Sequence, residues 1–182
     1  TFEKKIQVLS QTSNYYAKSD MGYNRERMRN GRAIKLLSNI SNEEAEILFR
    51  IPEIQKAIFN IDNTEILRII FRKVPTFFQE IMFGNEKIQD TLLAPRQTLR
   101  RKELFESYKT RNIKFTDEEV RQLENFLHTI KSPKVYERVI ENKFFQIIIA
   151  LCSEKQLKTS FFRGIDEVKL FFNIINDNEI FK

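Results

Sequence analysis

Apolar residues recur every three or four positions along this chain, in short runs separated by polar or proline-bearing joints. Phe77, Phe78, Ile81 and Met82 share one helical face, and Ile88, Leu92 and Leu93 share the next. Residues 96–110 predict a helix with a poor apolar face of Leu99, Leu104, Phe105 and Tyr108. Residues 116–130 predict a cleanly amphipathic one through Val120, Leu123, Phe126, Leu127 and Ile130. A helix over 134–151 turns almost wholly apolar toward its end, which predicts burial on most sides and a central place in the second half. Further helices are expected over 2–17, 25–38 and 165–175. Ile147-Ile148-Ile149 is β-prone, but it continues a helical pattern and has no turn residues beside it. The expected fold class is therefore all-α, with ten to twelve short helices.

The joints carry the chemistry of helix ends. Ser41-Asn42-Glu43-Glu44 and Thr116-Asp117-Glu118-Glu119 are capping boxes, in which hydroxyl and carboxylate satisfy each other's backbone N–H groups. Asp62-Asn63-Thr64-Glu65 repeats the device loosely. Ser132-Pro133 sets a cap followed by a first-turn proline, and Ser153-Glu154-Lys155-Gln156 caps another start. Gly84 is expected to close a helix as a C-terminal cap.

One stretch says something nearly twice. Phe49-Arg50-Ile51-Pro52 returns as Phe71-Arg72-Lys73-Val74-Pro75, and each copy runs into a helix with a glutamine, Gln55 or Gln79. The offsets are 22 for the phenylalanines, 23 for the prolines and 24 for the glutamines. A fixed period in this range marks stacked helical repeats. Each proline is expected in the first turn of a helix, with the preceding Ile51 or Val74 pushed toward an extended conformation. The segment Val74-Pro75-Thr76-Phe77-Phe78-Gln79-Glu80-Ile81-Met82-Phe83-Gly84-Asn85-Glu86-Lys87-Ile88-Gln89 resembles the last helix of an armadillo repeat running into the next. Ile51-Pro52-Glu53-Ile54 opens in the same manner, so the resemblance spans about residues 46–94. It implies an α-solenoid of HEAT or armadillo type, a superhelical scaffold that holds a partner along a concave face. The spacing is shorter than the roughly 40–47 residues of such a unit. The chain has no Trp, so the tryptophan-lined peptide groove of armadillo importins is not implied. An irregular helical bundle is the alternative arrangement, because the second half repeats poorly.

A chain of 182 residues can bury one real core. Residues 1–182 read as a single domain, with Ala94-Pro95-Arg96 dividing a repeat half, 1–95, from a second helical half, 96–182. Four Gly and four Pro are too few for the turns of an all-β fold, and 17 Phe make phenylalanine a main core residue. The longest apolar run, Ile147 to Cys152, is far too short to span a membrane. A single cysteine, Cys152, makes no internal disulfide, which favours an intracellular protein, cytoplasmic or nuclear; a secreted effector would look the same. The first residue is Thr1, as in a chain processed or excised from a longer one.

Charge is unevenly placed. The net charge is +6, yet residues 41–95 hold 6 basic against 9 acidic side chains. The positive excess lies in residues 1–40, with 8 basic and 3 acidic, and in 96–112, with 6 and 2. Arg25, Arg27, Arg29 and Arg32 make one cluster; Arg96, Arg100, Arg101 and Lys102 make another. Such clusters can dock phosphates, with Tyr23 or Tyr108 stacking a base. They can equally be solvated faces, and their guanidinium and ammonium heads are expected in water.

Catalytic chemistry has little to draw on. His128 is the only histidine, and with Cys152 alone it cannot build a soft metal site. Glu43, Glu44 and Glu46 cluster at a helix start, where carboxylates complement the helix dipole rather than bind a cation. The glycines stand alone, so no phosphate loop is formed. No cofactor is expected. Paired phenylalanines, Phe77-Phe78, Phe144-Phe145, Phe161-Phe162 and Phe171-Phe172, read as core, with one of a pair able to lean outward. The sequence thus points to a non-enzymatic helical-repeat scaffold that binds another protein. Nucleic-acid binding through the two basic clusters comes second, and an enzyme of unrecognised type third.

Overall fold

Side-chain caps mark several helix starts, while Ile51, Arg100 and the expected cap Ser132 precede helices without a side-chain cap bond. In a computed structural model, which describes residues 1, 4–5, 31–32, 34–97, 99–158 and 162, the chain is all-α. Among the described residues there is no strand. The helices are α1 (Asn42–Leu48), α2 (Pro52–Phe59), α3 (Thr64–Lys73), α4 (Thr76–Met82), α5 (Glu86–Leu93), α6 (Arg101–Thr110), α7 (Asp117–Leu127), α8 (Pro133–Glu141) and α9 (Lys143–Leu151). A 3-10 turn follows at Gln156–Lys158. Of the two expected arrangements, an irregular helical bundle fits these elements. The helix expected over 165–175 lies outside the described residues; of those expected over 2–17 and 25–38, residues 4–5, 31–32 and 34–38 are described and helical.

Both capping boxes form: Ser41 with Glu44 before α1, and Thr116 with Glu119 before α7. Asn63, Asn85 and Asn142 each accept a hydrogen bond from the backbone N–H three residues on, at 3.0, 3.1 and 3.0 Å. The step before each proline is extended as its ring demands, with ψ 120° at Ile51 and 156° at Val74.

Three expectations change. Gly84 does not close α4 in the left-handed region, because no described glycine has positive φ. Arg111 takes that conformation instead, at φ 51°, ending α6. The helix expected over 96–110 starts only at Arg101, since Arg100 is an extended N-cap with ψ 153°. The helix expected over 134–151 breaks at Asn142, whose ψ of 117° separates α8 from α9.

The chain divides into two compact units, Thr1–Met82 and Phe83–Lys182. In the first, α1 to α4 enclose a phenylalanine core. Phe78 is fully buried, with its ring stacked 5.0 Å from Phe49 and 6.3 Å from Phe59. Leu48, Ile54, Leu67, Phe71 and Met82 fill the remainder. In the second unit α9 is central: it packs against α5, α6 and α8, and Phe144, Phe145, Ile147 and Ile148 have no exposed surface. The expected joint at Ala94-Pro95 lies within this unit.

A glutamine device ties the short helices together. Gln55, Gln79, Gln89 and Gln146 each sit four residues past a helix-starting carbonyl, which accepts from their backbone N–H: Ile51, Pro75, Asn85 and Asn142. From there the side chain points back toward the helix N-terminus. Each Nε2 donates to a carbonyl near the end of the preceding helix: Phe49 at 2.8 Å, Phe71 at 2.9 Å, Phe83, and Ile140 at 2.8 Å. Gln55 and Gln79 therefore occupy equivalent positions. Their prolines are offset by one, since Pro52 is the first residue of α2 while Pro75 precedes α4. The device recurs at Gln89 and Gln146, so it belongs to helix joints in general rather than to the two related segments alone.

Gln79 is fully buried and Gln55 only partly. Gln79→Leu is expected to cost about 1–3 kcal/mol and Gln55→Leu less than about 1 kcal/mol in urea melts; equal costs would mean the buried bond contributes nothing special. Arg111→Gly is expected to add about 0.5–1 kcal/mol, because glycine holds the left-handed conformation without the Cβ clash. A lowered melting temperature would show that the arginine side chain outweighs its backbone strain.

Candidate partner-binding surface

The two basic clusters fare differently. Arg25, Arg27 and Arg29 lie outside the described residues, and Arg32 is exposed. In the second cluster, Arg101 opens α6 and turns back to α5. Its Nε and one terminal nitrogen donate to the two oxygens of Asp90, each at 2.8 Å, with Glu86 at 3.4 Å. The guanidinium also lies 5.7 Å from the Phe105 ring. This pairing raises its pKa, the hydrogen bonds to Asp90 outweighing the opposing effect of burial. Arg101 is 30% exposed and Asp90 20%, so the pair is an internal clamp and not the solvated head expected.

Arg96 is also engaged. It meets Glu119 at 2.8 Å, donates to the Lys114 carbonyl at 2.9 Å and stacks 5.4 Å over Phe115. It thereby anchors the capping box of α7. Arg100 and Lys102 are exposed, as expected. The second cluster thus presents alternate residues to water and spends the others on holding α5, α6 and α7. Acidic residues flanking the cluster in space, not in sequence, supply the partners.

The acidic residues at the start of α1 are engaged as well. Lys5 donates to both oxygens of Glu44 at 2.7 Å, and the Ser41 backbone N–H donates to Glu44 at 3.2 Å. These bonds, Lys5 first, hold the Glu44 carboxyl below its ordinary range. Glu43 is lowered by backbone N–H donation and by Ser41. Glu46 pairs with Arg50 at 3.4 Å. On α3, burial pulls the half-buried Arg68 guanidinium down to about 10, which leaves it charged at neutral pH. His128 is exposed at the end of α7, 3.8 Å from Glu124, and Cys152 is buried. Among the described residues, no three His, Cys, Asp or Glu converge on a metal position.

A different surface emerges on the first unit. Phe77, expected inside with Phe78, is only half-buried, and Ile81 is 38% exposed. On α1, Ile47 is 58% exposed, opposite the buried Ala45 and Leu48. Arg50 links the two helices, with its guanidinium 4.3 Å over the Phe77 ring. Ile47 lies one turn before Arg50, and Ile81 one turn after Phe77. Of the four, Arg50 and Phe77 are in contact, and Phe77 packs edge-on against buried Phe78 at 6.3 Å. Of the large hydrophobic residues described, only Tyr136 is comparably exposed, at 37%. The sequence reads the phenylalanine pairs as core with one ring able to lean out, without choosing which; Phe77 is half-buried, and Phe144 and Phe145 are both buried. Ile47 carried a weaker signal, an apolar residue off the stripe of Ala45 and Leu48.

No family model, curated protein or solved structure matches this chain.

Arg101→Ala is expected to cost about 1–2 kcal/mol, since it strips a two-point bond from a half-buried carboxylate. Arg100→Ala and Lys102→Ala should stay within about 0.5 kcal/mol; equal losses at all three would contradict the clamp. The acid limb follows from Glu43 and Glu44. Their folded pKa values lie below the unfolded ones, so their contribution is present above the ordinary glutamate range, near 4.5, and is lost as pH falls through the folded values. Melting temperature should therefore drop below about pH 4.5, and Glu44→Gln should flatten that drop; an unchanged slope would deny Glu44 the role.

Proposed function

We propose that this protein is a non-catalytic helical scaffold that binds another protein, using Ile47, Arg50, Phe77 and Ile81. The observation carrying this reading is the exposure of Ile47 and Ile81, each one turn along the chain from a member of the stacked Arg50–Phe77 pair. Aromatic and arginine side chains on a rigid support are the groups that anchor protein interfaces. The support here is rigid because Phe77 rests on the buried Phe78–Phe49 stack. A solenoid-like stacking of the two proline-led segments is part of the proposal, resting on the recurrence of Phe-Arg before each proline, at Phe49-Arg50 and Phe71-Arg72. So is residence inside the cell, supported by the one buried cysteine. No described helix is long and apolar enough to cross a membrane.

The nucleic-acid reading draws on exposed Arg32, Arg100 and Lys102. It loses the heads of Arg96 and Arg101, which the second unit uses internally.

Ile47→Asp with Ile81→Asp is expected to abolish capture of the parent's partner while moving the melting temperature by less than about 2 °C. Binding by the parent should persist near 1 M salt, where screening acts within about 3 Å. Binding that vanishes at that salt, and that Arg100→Glu with Lys102→Glu also removes, would overturn the scaffold in favour of phosphate recognition.

A further inference from the structure

The break between α8 and α9 has no covalent cause. Residues 134–151 contain neither glycine nor proline, and their apolar pattern runs through Asn142 as one helix. Side chains replace the helical ladder across the joint. Asn142 Oδ1 accepts from the Phe145 N–H at 3.0 Å, and Gln146 Nε2 donates to the Ile140 carbonyl at 2.8 Å. Asn142 Nδ2 then donates to Gln89 Oε1 at 2.7 Å, and Gln89 Nε2 donates to the Phe83 carbonyl. The bend is thus held from α5, 53 residues away. Asn142 is buried, and so are Phe144, Phe145, Ile147, Ile148 and Ile149 of α9.

We infer that the Asn142 joint is a latched hinge, and that releasing the Gln89 latch lets α8 and α9 run on as one helix and pass α9 to a second copy of this chain. Once α8 continues straight into α9, the two can no longer fold back on each other. The buried face of α9, with Phe144, Phe145, Ile147 and Ile148, must still find the surfaces of α5, α6 and α8 against which it packs. Only an identical chain offers those surfaces, and reciprocal exchange satisfies both copies with native contacts. The closed form prevails in the monomer because Asn142 caps α9 and bonds Gln89 together, an arrangement that straightening forfeits. Alanine at 142 removes both bonds and also favours the continuous helix.

Lys143 supplies the opposing test. It is exposed and is the first residue of α9. Proline is well suited to a first helical position but breaks a helix interior. The extended Asn142, with ψ 117°, already meets the requirement of a residue before proline. Lys143→Pro should therefore leave the bent monomer intact and forbid the straight form.

The experiment refolds the whole chain from denaturant at high protein concentration and reads mass by light scattering. Asn142→Ala is expected to raise the ratio of dimer to monomer by about 5–30-fold, the effect of losing one or two hydrogen bonds. Gln89→Met, which keeps the cap, should raise it less. Spin labels at Lys134 and Ala150 in the dimer should read about 24 Å, the length of a continuous helix between them, and a shorter distance in the monomer. Adding Lys143→Pro to Asn142→Ala should restore the monomer. Asn63→Ala, which removes the cap of α3, should lower stability without dimerisation. A monomeric Asn142→Ala, or a dimer that survives Lys143→Pro, would overturn the hinge.

Discussion

The structure depends on satisfying the ends of short helices. The described helices run from seven to eleven residues, so a large share of their backbone groups lies in first or last turns with no partner in the ladder. Burial makes the deficit costly, because an unpaired amide or carbonyl away from water forfeits its hydrogen bond. This chain meets the deficit at both sides of a joint. Serine, threonine and asparagine hydroxyls or amides serve the N–H groups, and glutamines four residues into the next helix serve the carbonyls behind. The phenylalanine core can then close over the joints with these backbone groups paired.

The same economy explains what became of the charge. A basic cluster in sequence looks like a binding face because its neighbours along the chain are basic. In space, Arg101 is beside Asp90, and Arg96 is beside Glu119. Half-buried, two-point bonds of this kind fix the orientation of one helix against another more than they add stability. What stays exposed is a set of cations, Arg32, Arg100 and Lys102, and, on the first unit, the apolar Ile47 and Ile81.

Helices, their caps and the class of fold were legible in the residues. Thr116 to Glu119 and Ser41 to Glu44 are local devices, complete within four residues, and each formed as its spacing required. The start of α6 was less legible. The pattern over 96–110 is weakly apolar, and Arg100 becomes an extended cap while Arg96 turns toward Glu119. The candidate surface was legible only in part. Phe77 was one of a flagged pair, but nothing local distinguishes it from Phe144, which is buried.

The sequence by itself determined an all-α chain, a phenylalanine-rich core, the capping boxes and an extended residue before each central proline, because periodicity and end chemistry act over a few residues. Tertiary structure decided which phenylalanines face outward, which arginines are clamps, and where the apolar stretch after Pro133 bends. The reason is range. Asn142 breaks a pattern that favours continuity, and besides its local cap bond to Phe145 its amide bonds Gln89, far away in sequence. No window of neighbouring residues contains that bond.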